Sequence, residues 1–125
     1  MIKSIIYIAV TAAIIVTFSV LEQTTLRSSF KDLSAETAII KTKAEEKTLT
    51  EKDVANLQKK WIKKKEVLHV YIPHNEIKEA DLWISECLYY AKARDYKEAR
   101  EKAEVIAELF EQIPKTFSLR TENIL

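Results

Sequence analysis

Not one of the 125 residues is glycine, and only Pro73 and Pro114 are proline. Tight hairpins use glycine at positive-φ turn positions, and phosphate-cradling loops use it where backbone must approach ligand closely. Rossmann, P-loop and most all-β architectures therefore lose their chemical basis in this chain. What remains is long helices joined by short turns. Apolar residues at 47% can supply a core, while charged residues at 31% place most of the surface in water.

The segment Ser4 to Leu21 carries no charge and is bounded by Lys3 and Glu22. As a helix it would reach ~27 Å, close to a hydrocarbon core of ~30 Å. Residues 1–21 are therefore expected to form a transmembrane anchor. The alternative is a cleaved secretory signal, whose apolar region usually runs ~7–15 residues to a small-x-small site. Thr17-Phe18-Ser19 is a poor site of that kind and lies inside the apolar run. Lys3 precedes the run, Arg27 and Lys31 follow it, and a short N-terminal tail before a long domain favours an extracytoplasmic C-terminal domain. Ala9 and Ala13 have the small-xxx-small spacing that lets helices approach, a weak signal in a span.

Residues 22–125 show helical periodicity throughout. Leu26, Phe30, Leu33, Thr37, Ile40 and Ala44 trace one face, and no breaker separates them from the span. Thr50 with Asp53 forms a capping signature, Leu49 with Val54 a hydrophobic staple. The stripe of that second helix is Val54, Leu57, Trp61, Leu68 and Ile72, with Lys64 and Lys65 where an apolar residue is expected, and Pro73 as its stop. A third helix, opening at His74 or Asn75, carries Ile77, Ala80, Ile84, Cys87, Leu88 and Ala91. A fourth opens at Asp95, carries Tyr96, Ala99, Ala103, Ile106, Phe110 and Ile113, and is expected to close at Pro114. Short connections make antiparallel neighbours the default. The expected fold is all-α: a transmembrane helix continuing into an up-down antiparallel four-helix bundle.

Several features occur in a distinctive order: the N-terminal span, Trp61 beside a lysine cluster, Ile72-Pro73-His74-Asn75-Glu76, Ile113-Pro114, and Glu122-Asn123-Ile124-Leu125. Together they resemble domain-of-unknown-function family 4363, small membrane-anchored helical proteins of spore-forming Gram-positive bacteria. The resemblance implies one anchor helix with a helical domain, an accessory role beside a multi-span membrane protein, and no assigned catalytic residues. Ala93-Arg94-Asp95-Tyr96-Lys97-Glu98-Ala99 is similar to the turn of a tetratricopeptide unit. No second copy follows at the repeat period, so an ordinary helical hairpin is the better account.

Reactive chemistry finds little support. His69 and His74, the only histidines, are five apart across Pro73, whereas a helical zinc pair needs spacing of three or four and a third ligand. No metal or other cofactor is expected. Cys87 lies on an apolar stripe with no base nearby and is expected in the core. Lys59, Lys60, Lys63, Lys64 and Lys65 around Trp61 could address lipid headgroups or nucleic acid. A solvated face is preferred, with Lys64 or Lys65 lying across the stripe and Trp61 as a core anchor. Beyond Lys3 the chain has 19 basic and 19 acidic residues, so nucleic-acid binding has no electrostatic basis.

The expected function is that of a non-catalytic, membrane-anchored accessory protein docking on another membrane protein. An extracytoplasmic sensor or ligand-binding bundle is the alternative; a homo-oligomer is left open. In an up-down bundle the Pro73 turn and the C-terminal tail fall at the membrane end. Pro73, His74, Phe117, Leu119, Ile124 and Leu125 are therefore the candidate partner-binding residues, unless the tail merely plugs the bundle.

Overall fold

The structure of the protein, a computed structural model, describes residues 1–124, with the side chains of all of these except 22, 23 and 117–124. Four helices follow in order: α1 Ile2–Glu45, α2 Glu51–Leu68, α3 His74–Lys92 and α4 Tyr96–Ile124. Helix α1 packs on both α2 and α4, and α3 packs on α2 and α4, which closes a ring. Cross-helix pairs fix the directions. Lys43 meets Asp53 while Lys64 meets Asp32, so α2 descends along α1. Glu45 meets Arg100, Lys41 meets Glu104, and Phe30 meets Phe110, so α4 also runs antiparallel to α1.

The core forms where four periodic stripes meet. Every apolar residue expected on the α1 stripe is buried, as are Val54, Leu57, Trp61 and Leu68 of α2 and Ile77, Ala80, Ile84, Cys87 and Ala91 of α3. Ala99, Ala103, Ile106, Phe110 and Ile113 complete it from α4. Leu88 and Tyr96, expected on these stripes, are only half-buried against the core. Phe30, Trp61 and Phe110, from three different helices, stack with ring centroids 5.6–6.5 Å apart. Such tilted aromatic pairs add ~0.5–1.5 kcal/mol each beyond area burial. Among the described residues Thr37 is the buried polar one, and its hydroxyl donates to the Leu33 carbonyl oxygen at 2.8 Å.

The helix ends show how a chain without glycine turns. Thr50 and Asp53 form both halves of a capping box at the start of α2. At the start of α4, the Glu98 amide donates to Asp95 Oδ1. Helices α1 and α3 each end in a Schellman motif: Thr48 N–H donates to Lys43 O and Lys47 N–H to Ala44 O, and Asp95 N–H donates to Tyr90 O and Arg94 N–H to Ala91 O. The left-handed position of each motif, where glycine is usual, is held by Lys47 (φ 59°) and Arg94 (φ 58°).

Two proline expectations need correction. Helix α4 does not close at Pro114 but passes through it to Ile124. A proline's own φ is helical, and only the Phe110 carbonyl loses its donor. Ile113, the residue whose conformation proline would perturb, is held by core burial. Helix α2 ends at Leu68, ahead of Pro73, and Ile72 reaches the core from the turn, its amide bonded to the Leu68 carbonyl. Pro73 instead serves as N-cap of α3, with His74 as the first helical residue.

Candidate functional site

The sequence places an uncharged stretch at the start of α1, and the fold leaves it bare. Among the described residues no core residue precedes Leu26, and the large apolar side chains from Met1 to Leu21 are all exposed, Ile2 at 76% and Phe18 at 62%. Among the described residues, one helix, α1, is long and apolar enough to cross a membrane. The antiparallel register of α2 puts its last turns beside the junction of this stretch with the bundle.

There α1 and α2 part to form an open groove of about 700 Å³. Its apolar walls are Phe18, Leu21 and Leu26 from α1, with Val67, Leu68 and Tyr71 from α2 and the turn after it. Higher up, Lys60, Lys63 and Lys64 face Asp32 and Ser29. Lys64 Nζ donates to Asp32 Oδ2 at 2.8 Å and to the Ser29 carbonyl at 3.1 Å. Lys60 Nζ donates to Glu36 Oε2 at 2.6 Å. The hydrogen bond and charge of Lys64, reinforced by Lys60, hold the Asp32 carboxyl below its usual range, and the Glu36 hydrogen bond lifts the Lys60 ammonium above its own. Lys63 is exposed and has no carboxylate partner among the described residues.

The lysine cluster read from the sequence is therefore divided in use. Lys65 turns the other way, where its Nζ donates to Asp81 and Asp81 accepts from Trp61 Nε1 at 2.6 Å. Trp61 is a core anchor, 1% exposed.

Pro73 closes the α2–α3 turn and His74 opens α3, Pro73 half-buried and His74 exposed, at the end of the bundle nearest the apolar stretch. Val70, in the same turn, is 72% exposed. Phe117, Leu119 and Ile124 have side chains outside the described residues, as does Leu125 entirely. The α4 backbone that carries the first three extends ~16 Å past Ile113. Val67 and Val70 lie off the α2 stripe that the periodicity marks. The signal available was an apolar pair off the α2 stripe, at the end where the chain turns.

Cys87 is buried, its thiol donates to the Ala99 carbonyl at 3.6 Å, and burial pushes its pKa up to about 12. That favours the neutral thiol over the nucleophilic thiolate. His69 caps the end of α2, with its Nδ1 against the Lys65 carbonyl. Among the described residues, no three His, Cys, Asp or Glu side chains gather to hold a metal ion.

The architecture defines an all-helical protein with a bare apolar extension on its first helix. The chain belongs to the family described as domain of unknown function (DUF4363), whose profile matches residues 20–124. No curated protein and no solved structure matches the chain.

Proposed function

We propose that the protein is a single-pass membrane protein whose bundle docks on a multi-span membrane partner and performs no catalysis itself. The observation that carries this reading is the bare apolar stretch of α1, continuous in one helix with the bundle. Moving one large apolar side chain from water to an apolar phase gains roughly 1.5–3 kcal/mol. Over the exposed set from Met1 to Leu21 the gain is on the order of 20 kcal/mol, more than the whole folding free energy of a typical domain. Membrane insertion satisfies that surface. The rigid connection then holds the α2–α3 turn close to the bilayer, where an embedded partner is within reach.

The docking surface in this reading is the turn bearing Val70, Pro73 and His74. Val70 and His74, both exposed and four residues apart in sequence, offer an apolar group and a polar one, the usual make-up of an interface margin. The absence of catalysis is part of the proposal: Cys87 is neutral and enclosed, and most groove cations already hold carboxylates. We place the bundle on the extracytoplasmic side; Lys3 ahead of the apolar run favours this side, and Arg27 and Lys31 after it oppose it. A photo-crosslinking residue at Val70 or His74, in cells, tests the docking surface. A discrete adduct with a multi-span membrane protein is expected, with no such adduct from Lys97 at the far end. Equal adducts from all three sites would contradict it.

A further inference from the structure

We propose that the α1–α2 groove holds one anionic phospholipid, its acyl chain along Val67, Leu68 and Leu21 and its phosphate against Lys63. This rests on the reading that α1 spans the bilayer, and adds a site to it. The groove is continuous with the span, since Phe18 and Leu21 belong both to its wall and to the uncharged run. A hydrocarbon layer of ~30 Å counted from Ser4 ends about level with Gln23, and headgroups add ~5–8 Å above it. That brings phosphates to roughly the level of Leu26 to Ser29, where Lys64 meets the Ser29 carbonyl. Tyr71 lies about two turns lower on the descending chain, at the boundary where tyrosine is favoured.

Volume and charge select the occupant. A single flexible chain fits a space in the usual range of ligand pockets, ~300–1,000 Å³. Lys60 and Lys64 spend their charge on Glu36 and Asp32. Lys63, lining the same groove without a described partner, leaves one positive charge for one phosphodiester. Val67, 61% exposed in the structure, is the apolar side chain such a lipid would cover.

The test uses the full chain in detergent micelles, offered equal phosphatidylglycerol and phosphatidylcholine, with retained lipid counted by native mass spectrometry. One phosphatidylglycerol per chain is expected, at least tenfold over phosphatidylcholine. Lys63→Glu and Val67→Asp should each lower retention at least tenfold with the melting midpoint unchanged, while Lys59→Glu, outside the groove, leaves it intact. Equal retention of the two lipids, wild-type retention in both groove variants, or equal loss in Lys59→Glu would overturn the site. Displacement by excess inorganic phosphate would also overturn it, in favour of a free-anion site. An alkaline wash of the parent membranes separates the two readings. Chain lost in the wash defeats the anchor, whereas chain retained without bound lipid defeats the groove alone.

Discussion

Trp61 Nε1 donates to Asp81 Oδ1 at 2.6 Å, and Lys65 Nζ approaches the same carboxylate at 3.1 Å. One acidic residue on α3 thereby satisfies the indole of the largest core side chain and the lysine that interrupts the α2 stripe. The indole is otherwise enclosed by Phe30 and Phe110. Trp61→Ala is expected to cost about 3–5 kcal/mol, the usual range for emptying an aromatic core site. Asp81→Ala, which strands the indole N–H, is expected to cost about 1–3 kcal/mol. Denaturation of the full chain in micelles, followed by circular dichroism, measures both. An unchanged midpoint for Trp61→Ala would show that the α1–α2–α4 aromatic cluster does not hold the bundle.

Lys47 and Arg94 occupy the left-handed positions of two Schellman motifs. A residue with a Cβ pays roughly 1–2 kcal/mol there, partly offset because glycine loses more chain entropy on folding. Lys47→Gly and Arg94→Gly should each stabilise the protein by about 0.5–1 kcal/mol. A fall in stability for both would mean that the side chains, not the backbone, hold these turns.

Acid should loosen the helix pairs. Burial opposes ionisation of Asp53, but hydrogen bonds from Lys43 and Thr50 outweigh it and lower its pKa. Lys64 lowers Asp32 and Lys41 lowers Glu104. Each carboxyl binds protons less readily folded than unfolded. The stability it lends is full above the ordinary values of 3.8 for Asp and 4.5 for Glu, and is lost as pH falls through the lowered ones. The melting midpoint should therefore drop below pH ~4. Asp53→Asn, whose amide oxygen can still accept from the Thr50 N–H but which loses the charge facing Lys43, should begin about 0.5–1 kcal/mol less stable and show a shallower drop. An equally steep acid drop in that variant would remove Asp53 from the account.

Much of this fold was legible because its signals are local. The stripe from Leu26 to Ala44 needed only a period of 3.6, and the Thr50–Asp53 cap only a spacing of three. Pro114 misled because a proline marks a helix boundary only when nothing else fixes the preceding residue, and Ile113 is fixed by the core. The groove was hidden for a different reason. It depends on the register of α2 against α1, which brings Val67 and Lys63 beside Phe18 and Leu21, residues more than forty positions away. The split among the lysines was hidden likewise, since Asp32, Glu36 and Asp81 are assigned by packing, not by spacing.

Orientation has a direct readout. With the bundle outside the cell, protease added to intact protoplasts should digest it and leave a fragment of about the size of the span. The two turns at the far end of the bundle, with exposed Lys47 and Thr48 and exposed Arg94 and Asp95, are the expected first cuts. Full protection until lysis would place the bundle in the cytoplasm.

The central claim is that the bare stretch of α1 stays in the bilayer as a permanent anchor. Because the first core residue is Leu26, cleavage near Val20 would leave the bundle intact, so folding alone does not answer the question. The deciding measurement is the N-terminal mass and the location of the mature chain after washing membranes with high salt and alkaline carbonate. The account predicts the full chain, with residues 1–21 intact, wholly in the membrane fraction. A soluble bundle beginning near Val20 would contradict it.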